Sequence, residues 1–389
     1  MEKRRKIIAV TGARSEYDLL SSIFEKLDKD DRFEFSIIVT GPHLSDNFGY
    51  TAQYVERDGY KIEERIYNLL DTNKKIGRIA SIGYQIPALA QTIERVKPDI
   101  ILVAGDREEA ISVTMTAAFL CIPVAHFFGG DIAKDGNIDN SVRYAASKFA
   151  HIHFPSLATH KENLLRLGED EWRVFVVGNP ALDRFIQTLK LSREELERKL
   201  DFDIVNNPYF ILIQHSIITE IDKQKEHIEI SLKAIQKSGF KCFINYPNSD
   251  PGNHFIIEAI QRYSQLYPDQ FRLFHNMDRV TYVNLLRHAK CLLGNSSSGL
   301  LEAPSLGLPA INIGSRQRGR VHGPNVIFVD NNEVQIAEAI HKVLNDDEFN
   351  TEASKRYNPY GDGTSSDKIV KILSEIDISE KLIYKNITY

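Results

Sequence analysis

Two successions of short apolar runs, each run separated from the next by a stretch of helical period, constrain what this chain folds into more than any other feature. The first succession starts at Lys6–Thr11, passes through helical spacing from about Tyr17 to Leu27, and returns to an apolar run at Glu34–Thr40. A helix over Gln85–Val96, a strand at Ile100–Ala104, a helix over Ala110–Leu120 and strands at Pro123–Phe127 and His151–Pro155 continue it. A run such as Ile7–Val10, apolar at every position rather than every second one, is a strand covered on both faces. Strands of that kind alternating with helices form parallel sheets.

The repeat pauses around Asn179–Pro180, and a charged helix over Ser192–Leu200 leads into a new strand at Tyr209–Gln214. A second series follows: helix Asp222–Lys237, strand Lys241–Tyr246, helix His254–Tyr267, strand Phe271–Phe274, helix Thr281–His288, and strands Cys291–Gly294 and Ala310–Ile313. At 389 residues the chain exceeds what one hydrophobic core usually supports. The expected architecture is α/β: two Rossmann-like domains, residues 1–180 and 181–365, facing each other across a cleft. A helix near Ser366–Ile376, in a tail over 366–389, is expected to cross back onto the first domain.

Composition excludes several function classes. With 42% hydrophobic and 26% charged residues the chain is neither disordered nor fibrous. A formal net charge of -5 argues against a broad nucleic-acid-binding face, while a local basic site for phosphate is compatible with it. Cys121, Cys242 and Cys291 lie in apolar runs without zinc-site or disulfide spacing and read as core thiols in a reducing compartment. The first apolar run is too short for a leader or a membrane span. The expectation is a cytoplasmic protein with a small-molecule substrate and neither nucleic-acid nor membrane partners.

The chemistry-bearing segments fall at strand ends, where ligands of open α/β sheets gather. The first βα turn, Gly12-Ala13-Arg14-Ser15-Glu16-Tyr17, sets an arginine at a helix N-terminus, which attracts anions; it is neither GxGxxG nor a Walker A loop. The second strand ends in Gly41-Pro42-His43, where one isolated histidine is as readily structural. The third ends in Gly105-Asp106-Arg107-Glu108: Asp106 suits base or acid, or equally a helix cap, and Arg107 suits holding phosphate or orienting the carboxylate. Gly129-Gly130-Asp131, followed by Ile138-Asp139-Asn140-Ser141-Val142-Arg143, adds Asp131 and Asp139, and grouped carboxylates have their pKa values driven apart, as acid and base roles require. No DxD pair or histidine-rich cluster accompanies them, so no metal is expected.

In the second series Gln214-His215-Ser216 and Pro247-Asn248 end strands in the same way. Gly294-Asn295-Ser296-Ser297-Ser298-Gly299, with Glu302 after it, offers amides and hydroxyls to an anion, or an ordinary helix cap. Gly314-Ser315-Arg316-Gln317-Arg318-Gly319-Arg320 packs three arginines after a strand, suited to a diphosphate.

Taken in order, GARSEYDLL at 12–20, GDR at 105–107, GGD at 129–131 with IDNSVR at 138–143, QHSIITE at 214–220, GNSSSG at 294–299 and GSRQRGR at 314–320 resemble the UDP-N-acetylglucosamine 2-epimerase family, in its hydrolysing branch. The resemblance implies a GT-B fold with the nucleotide held mainly by the C-terminal domain, through Ser296, Ser297, Glu302 and Arg316, with Arg14 and His215 reaching the diphosphate. Asp106 and Asp139 would be the acid/base carboxylates, joined by Asp131, and His215 would neutralise the departing diphosphate. Tyr17, His43, Arg107, Arg143 and Asn248 complete the candidate substrate contacts. The implied reaction takes UDP-N-acetylglucosamine and water to UDP and a free N-acetylmannosamine-type sugar for sialic-acid-like nonulosonate synthesis, with no cofactor and with a homodimer as the assembly.

One departure bears on the sugar. Where many relatives place a glutamate in HxEGGE, this chain has Phe128, which favours a less polar substrate, and the loop from Asp131 to Asp139 is slightly longer. UDP- or GDP-N,N'-diacetylbacillosamine, on the way to legionaminic acid, is the competing substrate. A non-hydrolysing epimerase, a GT-B glycosyltransferase and a non-catalytic nucleotide-sugar sensor are the other readings.

Overall fold

In the computed structural model, residues 4–72, 76–132, 138–247, 252–275 and 277–386 are described. They contain two parallel sheets of six strands each. The first comprises β1 (Arg5–Thr11), β2 (Phe33–Thr40), β3 (Ile62–Ile66), β4 (Ile100–Ala104), β5 (Val124–Phe127) and β6 (Ile152–Phe154), in the order β3-β2-β1-β4-β5-β6. The second comprises β7 (Tyr209–Ile213), β8 (Lys241–Asn245), β9 (Phe271–Phe274), β10 (Cys291–Gly294), β11 (Ala310–Ile313) and β12 (Val326–Val329), in the order β12-β11-β10-β7-β8-β9. The order in which successive parallel strands are added reverses between β1 and β4 in one sheet and between β7 and β10 in the other. These are the points at which doubly wound sheets open a crevice for ligand.

Alternation along β1 shows why its apolar run had to be continuous. Ile7 and Ala9 join a core with Ile37, Val39 and Leu102, while Ile8 and Val10 join another with Ile38, Ile101 and Val103. The second sheet is likewise covered on both faces, by the clusters around Leu212 and Ile311 and around Ile211 and Leu292. Each fully buried aliphatic side chain contributes about 1.5–3 kcal/mol, so both faces hold their helices firmly.

The chain divides into two compact units, one running to Arg184 and resuming at Tyr360, the other spanning Phe185–Pro359. Asp183 explains where the first unit closes: its carboxylate accepts from the amides of Ser365 (3.2 Å) and Ser366 (2.6 Å), at the head of helix Ser365–Glu375. That helix packs along helix Arg14–Lys29.

The structure also corrects parts of the sequence reading. Helix Ile76–Val96 starts well before Gln85 and continues through Pro87; Ile76, Ile79 and Tyr84 in its first half are exposed. Strands β3 and β12 and helices Asp139–Phe149, Ala158–Arg166 and Glu333–Asn345 are elements beyond those expected from the sequence. Cys121 is exposed at a left-handed turn (φ 55°) rather than in the core, whereas Cys242 and Cys291 are buried.

Candidate functional site

In the first unit the loops at the carboxyl ends of β1, β4 and β5 bring charged groups together. Asp106, just past β4, forms an ion pair with Arg143, the second turn of helix Asp139–Phe149. Arg143 also donates to the carbonyl oxygen of Asp131 at 2.9 Å, so one buried guanidinium ties the Asp106 loop to the Gly129-Gly130-Asp131 loop. Asp131 itself faces His160, with Nε2 3.3 Å from Oδ1. Asp139 stands at the first position of its helix, where the helix dipole favours a carboxylate.

Beside this set lies a second group that the sequence reading did not single out. Glu16 and Glu109 are both buried, and Arg107 Nε lies 3.6 Å from one and 3.7 Å from the other. Glu16 accepts from the Gly12 amide at 2.8 Å. Burial and the neighbouring Glu109 charge push the Glu16 carboxyl up to about 8, and burial raises Glu109 as well. Arg107 Nε is buried between these carboxylates while the side chain remains 43% exposed, so its terminal nitrogens are the part left to meet a ligand. Glu16 lies within the Gly12–Tyr17 turn, and Glu109 lies one residue beyond the Gly105–Glu108 segment. A glutamate in a helix's first turn ordinarily reads as a dipole partner, and only its burial marks it out.

Two expected contacts turn inward instead. Tyr17 is buried in the core, its hydroxyl donating to Asp58 at 2.7 Å, because its helix turns that face onto the sheet. His43 is fully buried between Thr11 (3.2 Å) and Thr51 (2.8 Å), and burial lowers it to about 4, leaving it neutral. It braces the loop after β2 rather than facing a ligand. Arg14 is at the surface, paired with Asp18 at 3.5 Å and lying over the Tyr54 ring. Phe128 adopts a left-handed backbone (φ 63°) and packs partly against the core. Strain of this kind in a bulky residue costs of order 1–3 kcal/mol and clusters at functional loops.

In the second unit the switch point is organised by Asn295, another residue not singled out. Its Oδ1 accepts from the His215 amide at 2.7 Å, its Nδ2 donates to the His215 carbonyl at 2.9 Å, and its own carbonyl accepts from Arg316 Nη1 and Gln317 Nε2, each at 3.1 Å. One residue, through its side-chain amide and its main-chain carbonyl, thus joins the three loops carrying His215, Ser296 and Ser297, and Arg316. Gly294 precedes it with φ 117°, and a β-carbon there would lie 2.1 Å from the Ile213 carbonyl, so only glycine lets β10 pass β7 so closely. Glu302 accepts from the Ser298 hydroxyl, which meets Tyr282 at 3.2 Å, and burial raises its pKa. Arg318, Gly319, Arg320, Val321, His322 and Phe328 line an open groove of about 590 Å³. Asn248 lies outside the described residues. Among those described, no group of three or more His, Cys, Asp or Glu side chains is placed to hold a metal ion.

Comparison with known proteins gives these loops a family. Residues 25–374 match the family described as "UDP-N-acetylglucosamine 2-epimerase". The chain belongs to the UDP-N-acetylglucosamine 2-epimerase family. Among curated members it is 33% identical over 381 residues, 98% of each chain, to the UDP-N,N'-diacetylbacillosamine 2-epimerase (hydrolyzing) of Legionella pneumophila. It is 33% identical over 335 residues, 86% of each chain, to the GDP/UDP-N,N'-diacetylbacillosamine 2-epimerase (hydrolyzing) of Campylobacter jejuni. Among solved structures of the family, the Neisseria meningitidis UDP-GlcNAc 2-epimerase bound to UDP-GlcNAc superposes with a TM-score of 0.79 at 22% identity, covering 95% of this chain and 99% of that one. The two parallel sheets are those of the family's GT-B fold.

Proposed function

We propose that this family member is a hydrolysing 2-epimerase of UDP-2-acetamido sugars, with UDP-N,N'-diacetylbacillosamine the first donor to test. The observation that carries the reading is the grip of Arg143 on the Asp106 carboxylate and on the Asp131 main-chain carbonyl, which brings the loops of Asp106 and Asp131 to the helix that starts with Asp139 at one sheet edge. In the proposed reaction a carboxylate of this set takes the C2 proton while the C1–O bond breaks and UDP leaves with the bonding electrons, giving a glycal. Water then adds its oxygen to C1, and a proton returns to C2 from the opposite face. Asp106 and Asp139 share the base and acid roles, and Asp131, steadied by His160, supports them.

The Asn295-centred loops of the second unit hold the nucleotide: Ser296 and Ser297 with Arg316 take the diphosphate, and His215 balances charge as UDP departs. Arg107, clamped between Glu16 and Glu109, adds a fixed cation. The names of the Legionella and Campylobacter relatives favour the diacetylated 6-deoxy sugar over UDP-N-acetylglucosamine, as does Phe128, an apolar ring where a carboxylate would suit a hydroxyl-rich substrate. The product would feed nonulosonate synthesis in the cytoplasm. No helix among the described residues is long and apolar enough to cross a membrane. Exposed Ile76, Ile79 and Tyr84 support a homodimer, to be tested by mass measurement in solution.

Incubation with UDP-N,N'-diacetylbacillosamine and, separately, UDP-N-acetylglucosamine tests the proposal. Stoichiometric free UDP and reducing sugar from either is the expected result; neither product from both donors overturns it.

A further inference from the structure

The segment from Lys381 to Lys385 is fastened to the first unit at its core. Leu382 is fully buried among the residues under the first sheet. The buried guanidinium of Arg173 donates to the carbonyl oxygens of Leu382 (2.5 Å), Lys381 (2.8 Å) and Tyr384 (2.6 Å), while its Nε holds Asp170 at 3.1 Å. This staple delivers Lys385 to the carboxyl end of helix Asp139–Phe149. The Lys385 ammonium donates to the carbonyl oxygens of Ser147 (3.1 Å), Lys148 (2.9 Å) and Ala150 (2.6 Å), and pairs with Glu169 at 2.6 Å. Carbonyls at a helix end have no partner within the helix, and a cation there also meets the negative end of the helix dipole.

The other end of the same helix carries Asp139 and Arg143, the residue that grips Asp106. A second connection runs alongside. The Gly105 carbonyl, one residue before Asp106, can only accept, so His126 carries its proton on Nε2, 2.7 Å from that oxygen. Its Nδ1 then faces the Ser147 hydroxyl at 3.1 Å, whose one proton is shared between this nitrogen and the Arg143 carbonyl at 2.9 Å. Ser147 is thus held on one side by Lys385 and on the other reaches, through His126, the loop bearing Asp106.

We propose that Lys385 is a positioning residue of the active site, capping the carboxyl end of helix Asp139–Phe149 so that its amino end presents Asp139 and the Arg143-bound Asp106 in register with the substrate. The proposal rests on the 2-epimerase reading above and asks for no contact between Lys385 and substrate. Catalytic groups displaced by about 1 Å lose on the order of a hundredfold in rate, so an axial slip of this helix would act on turnover rather than on binding. Several groups face the ammonium: Glu169, Lys148 and Arg173, with His153 and His151 behind them. Glu169 keeps Lys148 (2.9 Å) and His153 (2.9 Å) when Lys385 is removed, so the substitution strands no buried carboxylate.

The test uses full-length Lys385→Ala beside Ser147→Ala. In Lys385→Ala, kcat is expected to fall roughly 10- to 100-fold with KM unchanged, and added ethylammonium to restore part of kcat. Amide hydrogen exchange is expected to quicken over 139–149 while β1 and β2 keep their protection. Ser147→Ala, which leaves the Lys385 contacts to backbone in place, is expected to lower kcat at constant KM through the His126 connection. Wild-type kcat in a folded Lys385→Ala, or unchanged exchange over 139–149, overturns the proposal. If Lys385→Ala does not fold, Ser147→Ala decides: wild-type kcat there overturns it, and a lowered kcat at constant KM supports it. Failure of the wild-type enzyme to release UDP from either donor removes the 2-epimerase reading instead, and leaves the exchange measurement to judge the cap.

Discussion

The Glu109 carboxylate occupies the space in which a β-carbon on Gly12 would have to stand: the two would be 1.8 Å apart. The glycine after β1 is therefore required by a neighbour in the first turn of helix Glu108–Phe119 and not by its own backbone angles. Gly12→Ala forces the buried Glu16–Arg107–Glu109 group apart, and overpacking of this kind costs about 1–3 kcal/mol. A lowered urea midpoint with unchanged slope is the expected outcome; a wild-type midpoint contradicts it.

The same group sets a pH dependence. Glu16 titrates near 8 in the folded chain, well above its ordinary value, because burial and Glu109 disfavour its charge. The native state thus binds more protons than the unfolded chain between the two values. The stability is present in full below the unfolded pKa and is lost as pH rises through the folded one. Melting temperature is expected to decline from about pH 5 to pH 8, and Glu16→Gln to flatten that decline.

Asp106→Asn tests the acid/base assignment. It removes the charge opposite Arg143 but keeps the side chain's shape, so kcat is expected to fall by about 10²–10⁴ with little change in KM. A variant that turns over normally would remove Asp106 from the chemistry and leave it a structural partner of Arg143.

How much of this could be read in the sequence depended on whether a residue's surroundings follow from its neighbours along the chain. Strand β1 was legible because Ile7–Val10 is apolar throughout; β3 was not, because Glu63, Glu64 and Arg65 make an exposed edge look like loop. Helix Asp139–Phe149 hid for a related reason: what it buries is Arg143, Ala146 and Ser147, not an apolar stripe. Strand-end glycines and carboxylates pointed to the loops around Asp106 and Asp131. Whether Tyr17 and His43 face a ligand or the core, and whether Glu16 meets Glu109, depends on strands distant in sequence. Asn295 was passed over beside three serines, though its side-chain amide holds the His215 loop and its main-chain carbonyl holds Arg316.

Arg316→Ala separates nucleotide holding from chemistry. A hydrogen bond to a charged group is worth about 1.5–3 kcal/mol, so UDP affinity is expected to drop roughly 10- to 100-fold by calorimetry. Affinity equal to wild type would take Arg316 out of the diphosphate site.

The central claim, that this family member cleaves its nucleotide sugar with inversion at C2, is tested most directly by proton NMR of the reaction in heavy water with UDP-N,N'-diacetylbacillosamine and UDP-N-acetylglucosamine as donors. The account predicts free UDP together with a C2-inverted free sugar carrying deuterium at C2. A C2-inverted sugar still joined to UDP, or a released sugar that retains its C2 proton and configuration, would contradict it.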